Sequence, residues 1–492
     1  MYIKEITVFI VVLLAAKYFW RKRRFFYLAS KIPRSNFDFS LKGIYEFLTA
    51  DSKKIFEQIY GSIKGIDGIA KTWLGPVLFV IANDPEDVKI IWNSKECYDK
   101  PYFVKFAGIY EGSLFGSMTA WHTHRKILDP YFGNQKLKNF LPIFDEKSKV
   151  LTRKVSEKLG TGEFDVFHYM TALTLETILN AMELNADIQN LEEIKRDLTI
   201  KGLERASKMI TKRIFSFWLH PEFIYKRTKY FVAEMKAKSH SAFTYVDDVI
   251  ENIRENIDTG EEVNIKPTSF MRALLDSKHN FSKDEIDDEI RTLLIAAQDT
   301  SALAMSSALL LLAMHKDAQD KIVAELHEVL GKSPNAPFID FEKLNELQYT
   351  EMVINETMRL MPVVPFVARR VESEVAVTKG YIIPADANIF VPIYGIHRNK
   401  TIWGDDAEQF RPERFEKENF SKIHPYAFIP FTRGPRMCLG YRYAMALMKV
   451  QLANFLMRYE VDTSLKYEEL EFELNVTLNV CQGLMISIKE RK

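Results

Sequence analysis

The chain has 492 residues, with 67 basic and 66 acidic side chains, so its formal net charge is +1. This balance gives no overall electrostatic reason to bind nucleic acid, and a composition of 47% hydrophobic, 27% charged and 13% aromatic residues is that of a globular protein. The cysteines are Cys97, Cys438 and Cys481, which excludes a disulfide scaffold and any metal centre that needs four thiolates. Cysteine chemistry in this protein must therefore use a single thiol.

The first 24 residues have the pattern of a membrane anchor. Residues 6–16 are uncharged and apolar, the aromatic residues 18–20 suit the lipid headgroup region, and a basic run follows at residues 21–24. A cleaved signal peptide would carry its basic cluster before the apolar stretch and not after it. We therefore expect residues 1–24 to be an uncleaved anchor with a basic stop, and residues 25–492 to lie on the cytoplasmic side. The alternative is that this segment begins the fold as a buried helix.

A long helix is expected in the middle of the chain. Ser282 and Glu285 have the spacing of a capping box, and the helical run that follows extends to about Met314. Between Thr292 and Met314 the one charge is Asp299, and a charge at the centre of a bilayer would be costly. We therefore expect the core helix of a large protein, apolar on all sides, and not a second membrane span.

Other segments complete a mixed but mainly helical pattern. Helical periodicity dominates from about residue 85 to residue 360, residues 71–82 have strand character, and short Val-, Ile- and Phe-rich segments alternate with Pro and Gly up to residue 400. A hairpin is expected within residues 470–488. Because no change in composition marks a linker, the sequence predicts a mainly α protein with small β-sheets (α+β), folded as a single large domain around the long central helix.

One cysteine lies in a pattern that favours metal chemistry. Residues 428–440 read FIPFTRGPRMCLG, in which Gly434 allows a tight turn and Cys438 comes just before a helix expected from Leu439 to about Met457. Helix-terminal amides and the nearby arginines would lower the pKa of Cys438 toward the thiolate. A shielded thiolate on a hydrogen-bonded loop is the ligand that haem iron needs when cleavage of the oxygen–oxygen bond is to be favoured. The alternative is an inert buried cysteine.

The spacing resembles the haem-binding signature Phe-x-x-Gly-x-Arg-x-Cys-x-Gly of the cytochrome P-450 family, the haem-thiolate monooxygenases. The resemblance extends from the anchor to the final strands, with four other motifs in the expected order. It implies the P-450 fold, with residues 25–492 as the haem domain and haem b as the cofactor. It also implies that Cys438 is the axial ligand of the iron, that Phe431 shields the sulfur, and that Arg436 and Arg369 bind the haem propionates.

Two further motifs match the same family. Trp121 and Arg125 lie one helical turn apart, and the family uses this pair on a haem propionate. The two histidines between them point to different faces of a helix, so we assign no metal to them. Glu356 and Arg359 resemble the family's helix pair, with Arg414 as the second arginine of a buried network that locks the region of the thiolate loop.

Asp299 and Thr300 resemble the acid–alcohol pair of the family's oxygen-activation motif, Ala-Gly-x-Asp/Glu-Thr. Such a pair would hold a water molecule and relay protons to dioxygen, so the resemblance implies that both residues are catalytic. The alternative is a polar interruption of a buried helix, satisfied by a bond to the preceding turn. Ala297 replaces the usual Gly, so we expect retained but altered activity. Ala296 stands where several relatives carry a Glu that esterifies the haem, so covalent attachment is not expected.

The resemblance is closest to the insect and vertebrate microsomal branch that includes the fatty-acid ω-hydroxylases. It implies a monooxygenase that inserts one atom of O2 into a small lipophilic substrate, which could be a fatty acid, a hormone-like molecule or a xenobiotic. Electrons would come from NADPH through a cytochrome P-450 reductase, with cytochrome b5 as a further candidate donor. Basic residues such as Lys126 and Arg442 would form the docking face for the reductase.

The implied location is the endoplasmic reticulum membrane, with the haem domain on the cytoplasmic face and no nucleic-acid partner. Two alternatives stay open at this point. One is a haem-thiolate isomerase or dehydratase that acts on a peroxide, and the other is a non-catalytic haem- or lipid-binding protein.

Overall fold

A computed structural model describes residues 2–37, 40–184, 186–239, 247, 251, 269–333 and 336–491. The α-helices with described bounds are α1 (Tyr2–Arg21), α2 (Arg23–Lys31), α3 (Leu41–Thr49), α4 (Ser52–Ile63), α5 (Pro85–Asn93), α6 (Met118–Leu128), α7 (Asn134–Lys154), α8 (Phe167–Ala181), α9 (Glu193–Phe215), α10 (Glu222–Tyr225), α11 (Lys229–Lys238), α12 (Phe270–Leu275), α13 (Lys283–Met314), α14 (Lys316–Leu330), α15 (Phe341–Glu346), α16 (Gln348–Leu360), α17 (Ile393–Ile396), α18 (Lys400–Trp403), α19 (Lys417–Phe420) and α20 (Tyr441–Leu456). The β-strands are β1 (Ile69–Leu74), β2 (Val77–Ala82), β3 (Phe164–Asp165), β4 (Val367–Arg370), β5 (Val375–Ala376), β6 (Ile382–Ile383), β7 (Asn388–Val391), β8 (Tyr459–Asp462), β9 (Phe472–Asn475), β10 (Thr477–Val480) and β11 (Met485–Glu490).

The long central helix α13 forms as the sequence predicts. The Ser282 side chain accepts a hydrogen bond from the Glu285 N–H (3.2 Å), the Glu285 carboxylate accepts one from the Ser282 N–H (2.8 Å), and the helix ends at Met314. It packs against α8, α16 and α20. Among the described residues, α13 is the one helix with an apolar stretch as long as a full membrane span, but 72% of this stretch is buried inside the protein. It is therefore a core helix, and the mainly helical fold with small separate sheets is confirmed.

The largest sheet has four strands in the order β1–β2–β7–β4. Strands β1 and β2 are antiparallel, β2 runs parallel to β7, and β4 is antiparallel to β7. The strand character of residues 71–82 is thus confirmed, but as parts of two strands. Gly75 adopts a φ of +59° and Pro76 follows it, so the chain turns back at this point.

The C-terminal strands form a smaller hairpin than expected. Strands β9 and β10 pair antiparallel around a turn at Val476, whose φ is +67°. Strand β11 does not extend this hairpin but pairs with β8 and β3 in a separate sheet of three strands. The expected hairpin over residues 470–488 is therefore confined to β9 and β10.

The largest hydrophobic core is built mainly from α7, α8, α13, α14, α16 and α20. The first helix lies outside it, because most apolar side chains of α1 are exposed. Two ion pairs fix the chain just after α1 to the rest of the protein. Lys22 pairs with Asp386 (2.6 Å), and Arg24 binds both carboxylate oxygens of Glu374.

Candidate active site

The loop before α20 presents the thiol of Cys438. The Cys438 N–H donates to the Phe431 carbonyl (3.0 Å), and the Met437 N–H donates to the Gly434 carbonyl (3.0 Å). Gly434 has a φ of +75°, and a Cβ at this position would lie 2.9 Å from a backbone oxygen of Trp92, so glycine is required for both reasons. The helix begins two residues later than Leu439, the predicted start, because Gly440 is still outside helical geometry.

The thiol is accessible but lies deep in the protein. Burial raises the pKa of Cys438 above its ordinary value, although a backbone hydrogen bond from Gly440 and the charge of Arg125 act in the opposite direction. The expected lowering of this pKa was therefore wrong for the free thiol, because burial outweighs the nearby positive charge. Ala296, in the middle of the core helix α13, is also exposed.

A buried charged network joins α16 to the segment that leads toward the loop. Arg359 donates from Nε and Nη2 to the two oxygens of Glu356 (2.7 and 2.8 Å), and its other hydrogen bonds go to three carbonyls within residues 397–409. Arg414 lies 3.5 Å from Glu356, and all three side chains are almost completely buried. The network expected from the sequence motif is thus present.

His397 connects this network to the thiolate loop. Its Nε2 accepts the N–H of Ile429 (3.0 Å), so its proton is on Nδ1, which faces the Met358 carbonyl (3.3 Å). Burial and the charge of Arg359 lower the pKa of His397 to about 3, so the ring is neutral. A neutral ring can accept and donate at the same time, and it therefore fixes the loop two residues before Phe431.

Three cationic side chains, those of Arg436, Arg369 and Lys100, lie near one another, and Arg436 contacts Trp121. The three guanidinium nitrogens of Arg436 are buried and have no hydrogen-bond partner among the described residues, and the guanidinium lies 4.4 Å from the ring centroid of Trp121. Burial, with Arg125 adding to it and Asp99 opposing it, lowers the pKa of Arg436 to about 10. Burial and the charge of Arg436 lower the pKa of Arg369 to about 9.

Lys100 is the third member of this group. Burial and the charges of Arg369 and Arg436 hold the pKa of Lys100 well below its ordinary value. Within the described residues no carboxylate forms an ion pair with any of the three. Sequence reasoning missed Lys100, because a single lysine in a loop normally faces solvent and this one belongs to no motif.

Arg125 lies on α6, on the same face as the buried Trp121, and reaches the thiolate loop. Its Nη1 donates to the carbonyl of Met437 (2.7 Å), and its Nε lies 2.8 Å from Asp129. Helix α6 therefore contacts the loop at the residue that precedes Cys438. The structure thus brings the sequence-predicted positions Trp121, Arg125, Arg369, Phe431, Arg436 and Cys438 into one region.

The acid–alcohol pair lies on α13 beside the exposed Ala296. Thr300 donates its hydroxyl proton to the Ala296 carbonyl (2.5 Å), which is the back-bond to the preceding turn considered as the alternative. The Asp299 carboxyl group forms no hydrogen bond or ion pair with the side chains and backbone of the described residues. Burial raises the pKa of Asp299 to about 7, and the charge of Glu204 adds to this shift. The helix is continuous through Ala297, so replacing the usual Gly leaves the backbone pattern unbroken.

Comparison with known proteins identifies the protein family that has this arrangement of residues. The sequence model described as Cytochrome P-450 matches residues 44–485. A probable cytochrome P-450 313a4 of Drosophila melanogaster is 29% identical over 490 residues, which cover 96% of both chains. A probable cytochrome P-450 313b1 of the same species is 30% identical over 97% of this chain and 98% of its own. Cytochrome P-450 4V2 of Homo sapiens is 30% identical over 94% of this chain and 90% of its own.

These matches confirm the resemblance seen in the cysteine motif, and insect members of the family are among the similar proteins. The family model covers the thiolate loop, the central helix and the buried charged network alike. The relatives match over nearly their whole lengths, so the likeness is not limited to one motif. The protein therefore belongs to the cytochrome P-450 family of haem-thiolate monooxygenases.

Proposed function

We propose that this protein, anchored in the endoplasmic reticulum membrane, inserts one oxygen atom of O2 into a small lipophilic molecule, with electrons that a reductase passes on from NADPH. Bound haem b supplies the activation of dioxygen that this oxidation requires. The residues of this chain bind and orient the haem, exclude water and hold the proton that the reaction consumes.

The observation that carries the proposal is the buried group of Lys100, Arg369 and Arg436. Burying a charge without a partner is costly, so three neighbouring cations need anionic partners. The haem propionates are such partners, and a planar guanidinium matches a carboxylate with two parallel hydrogen bonds. Arg436 and Arg369 would hold the propionates, with Trp121 and Arg125 beside them.

Cys438 is the proposed ligand of the iron. A metal ion replaces the thiol proton, so the raised pKa of the free thiol does not prevent ligation. The hydrogen bond from Gly440 and the charge of Arg125 both favour the anionic sulfur. Phe431 is half-buried, lies 6.1 Å from the ring of Tyr441 and would limit the access of water to the sulfur.

Asp299 and Thr300 are the proposed proton-handling residues. Near neutral pH the Asp299 carboxyl is close to half protonated, so it can both hold a proton and release one. The Thr300 hydroxyl, which donates to Ala296, keeps an acceptor site for a water molecule. No carboxylate stands at position 296, so we propose that the haem is held without a covalent bond.

The surface beside this pair favours lipophilic substrates. In the turn just before Asp299, Ile295, Ala296 and Ala297 are accessible or partly accessible, and none of their side chains can form a hydrogen bond. A fatty acid, a hormone-like molecule and a xenobiotic all meet this requirement. A shift of the Soret band on adding a compound, followed by product analysis, would select among these classes.

The ferrous, carbon monoxide-bound absorption spectrum of the full-length protein tests the haem-thiolate assignment. We expect a Soret band at the position typical of thiolate ligation. Cys438→Ser should lose this band, whereas Cys481→Ser, which removes an exposed thiol just after β10, should keep it. A thiolate band that survives Cys438→Ser would overturn the assignment.

Turnover measurements test the electron source. Product formation should require O2, NADPH and reductase together, whereas an isomerase or dehydratase would need none of the three and a binding protein would form no product. If the exposed Lys126 and the partly exposed Arg442 contribute to docking, Lys126→Gln and Arg442→Gln should raise the KM for the reductase. Lys332→Gln, which changes an exposed lysine just after α14, is the control. An unchanged KM in both variants would refute the docking face.

The membrane assignment rests on the charge-free stretch of α1, residues 6–16, in which most described apolar side chains are exposed. This stretch is shorter than the roughly 20 residues of a full apolar span, but the long side chain of Lys17 can extend its charge to the membrane surface. A stretch of this kind would be aggregation-prone in water but is suited to lipid. We expect the full chain to remain in microsomes after carbonate extraction. We also expect protease added to intact microsomes to digest the haem domain, as its cytoplasmic position requires. A haem domain protected from protease would refute the proposed orientation.

A further inference from the structure

His124, which the proposed haem site does not use, lies where three parts of the protein meet. It is fully buried on α6, its Nδ1 lies 2.9 Å from Oε2 of Glu289, and its Nε2 lies 3.4 Å from Oε1 of Glu285. Glu289 is also fully buried, and its two oxygens accept bonds from the N–H and the hydroxyl of Ser113, each at 2.6 Å. One histidine therefore joins α6, α13 and the loop that contains Ser113.

The positions of Glu289 and Glu285 determine the charge of the His124 ring. Both ring nitrogens face carboxylates, and an ionised carboxylate only accepts hydrogen bonds. A neutral imidazole can donate from one nitrogen alone, so both bonds together require the imidazolium. Burial lowers the pKa of His124, but the hydrogen bonds and charges of Glu289 and Glu285 outweigh burial and raise it above its ordinary value.

On one side His124 is coupled to the thiolate loop. The next residue along α6 is Arg125, whose guanidinium donates to the Met437 carbonyl (2.7 Å) immediately before Cys438. A shift of α6 relative to α13 would therefore move the Arg125 contact with the loop. No other side chain of α6 forms a hydrogen bond to that loop within the described residues.

On the other side His124 is coupled to the loop before α6. The N–H groups of Tyr110 and Glu111 donate to Asp288 of α13 (2.8 and 2.9 Å). Gly112 lies so close to α13 that a Cβ would collide with the side chain of Thr292. Ser113 is bonded to the same Glu289 that binds His124. The packing of this loop on α13 and the position of α6 therefore depend on one buried carboxylate.

We propose that His124 is a positioning residue: bonded as an imidazolium to Glu289, it holds α6 and the preceding loop against α13 and thereby sets the place of Arg125 beside the thiolate loop. The inference rests on the proposed function for the roles of Arg125 and Cys438. Loss of the ring's charge leaves Glu289 buried without its cationic partner. The contacts that hold α6 and the preceding loop against α13, here called the junction, then loosen, and haem is released faster.

Among the residues that the structure describes, the charged groups bonded to the His124 ring are Glu289 and Glu285. Phe281 covers one side edge-on, with ring centroids 4.8 Å apart. Asp288 is engaged with the loop backbone. Adjoining elements also carry charged or titratable groups for which the described residues show no bond to the ring, among them Glu111, His122, Arg125, Lys126, Arg272, His279, Asp284 and Arg291.

The test compares the haem-loaded full-length protein with His124→Gln, which keeps one hydrogen-bond donor but carries no charge. Haem transfer to excess apomyoglobin is measured from about pH 6 to about pH 9, on both sides of an ordinary to raised histidine pKa. In the parent protein the charge is present at low pH and lost as pH rises through the raised pKa, so haem release should accelerate with pH. His124→Gln should release haem about tenfold faster than the parent protein at low pH. Its release rate should lack the pH step, which is the increase in rate as pH rises through the pKa of His124.

His122→Gln, which changes an exposed histidine of the same helix, should behave like the parent protein. Equal haem release and equal pH dependence in His124→Gln and the parent would overturn the proposal. Glu285→Gln provides a milder variant if His124→Gln does not fold. It removes one carboxylate from the ring, so the pH step should move to lower pH, and an unmoved step would also overturn the proposal.

Amide hydrogen exchange separates this inference from the proposed function. The N–H groups of Tyr110 and Ser113 should exchange about tenfold faster in His124→Gln than in the parent, whether or not haem is bound. Unchanged exchange would contradict the proposed hold on the loop. A parent protein without a thiolate spectrum would instead refute the proposed function, while the exchange measurement would still report on the junction.

Discussion

Arg359→Met should destabilise the protein far more than any surface arginine substitution. Methionine keeps an apolar stem of similar length but removes five hydrogen bonds, two to Glu356 and three to backbone carbonyls. Glu356 would keep only the Arg411 N–H at 2.8 Å and Arg414 at 3.5 Å. Removing one partner of a buried ion pair costs about 3–5 kcal/mol. This is a large share of the roughly 5–15 kcal/mol that stabilises a folded protein.

Arg411→Met is the matched control, because the Arg411 side chain is exposed and its one ion pair within the described part of the chain is with Asp406 (2.8 Å). A surface ion pair of this kind is worth about 1 kcal/mol or less, and the backbone bond from Arg411 to Glu356 survives the change. Urea unfolding of both haem-loaded variants, followed by tryptophan fluorescence and by the Soret band, measures the difference. If the two variants unfold within about 1 kcal/mol of each other, the burial of this network does not have the energetic weight assigned to it.

Two further changes probe the loop and the acid–alcohol pair. Gly434→Ala forces a Cβ to within 2.9 Å of a Trp92 backbone oxygen, so we expect a lower Tm and less bound haem. Gly160→Ala shares the positive φ but meets no atom within 4 Å, so it should cost only about 1–2 kcal/mol of backbone strain; equal losses in both would contradict the steric argument. The pKa of Asp299 is about 7, so the step that uses its proton should slow as pH rises through that value. Glu204→Gln removes a negative charge that favours the protonated carboxyl, so this limb of the single-turnover pH profile should move to lower pH; an unmoved limb would exclude the coupling.

Structural features that depend on residues close together in the sequence could be predicted from the sequence. The capping box at Ser282 and the helix end at Met314 are set within one or two turns of chain, and both were predicted correctly. The spacing around Cys438 led to the right family, and at Gly434 the reason for the residue type is local, because the chain makes a left-handed turn there. The meeting of Glu356 with Arg414 was expected only from resemblance, since nothing local brings them together.

Features that depend on burial or on distant partners could not be predicted in this way. The sign of the Cys438 pKa shift is decided by how deeply the loop lies in the fold, which no spacing reveals. Lys100 joins Arg369 and Arg436 only after three separate segments have packed. His124 finds Glu289 across 165 residues of sequence. In each case the chemistry follows from tertiary packing.

The group of Lys100, Arg369 and Arg436 has a consequence for how the protein is made. Three like charges held close together oppose folding. An anion that binds only the folded chain shifts the folding equilibrium toward the folded state, and the shift grows with the concentration and the affinity of the anion. Newly made chains in a cell short of haem would keep this repulsion and remain open to proteolysis. The amount of mature protein should thus follow the haem supply even when the messenger level is constant, so cofactor biosynthesis would limit its abundance.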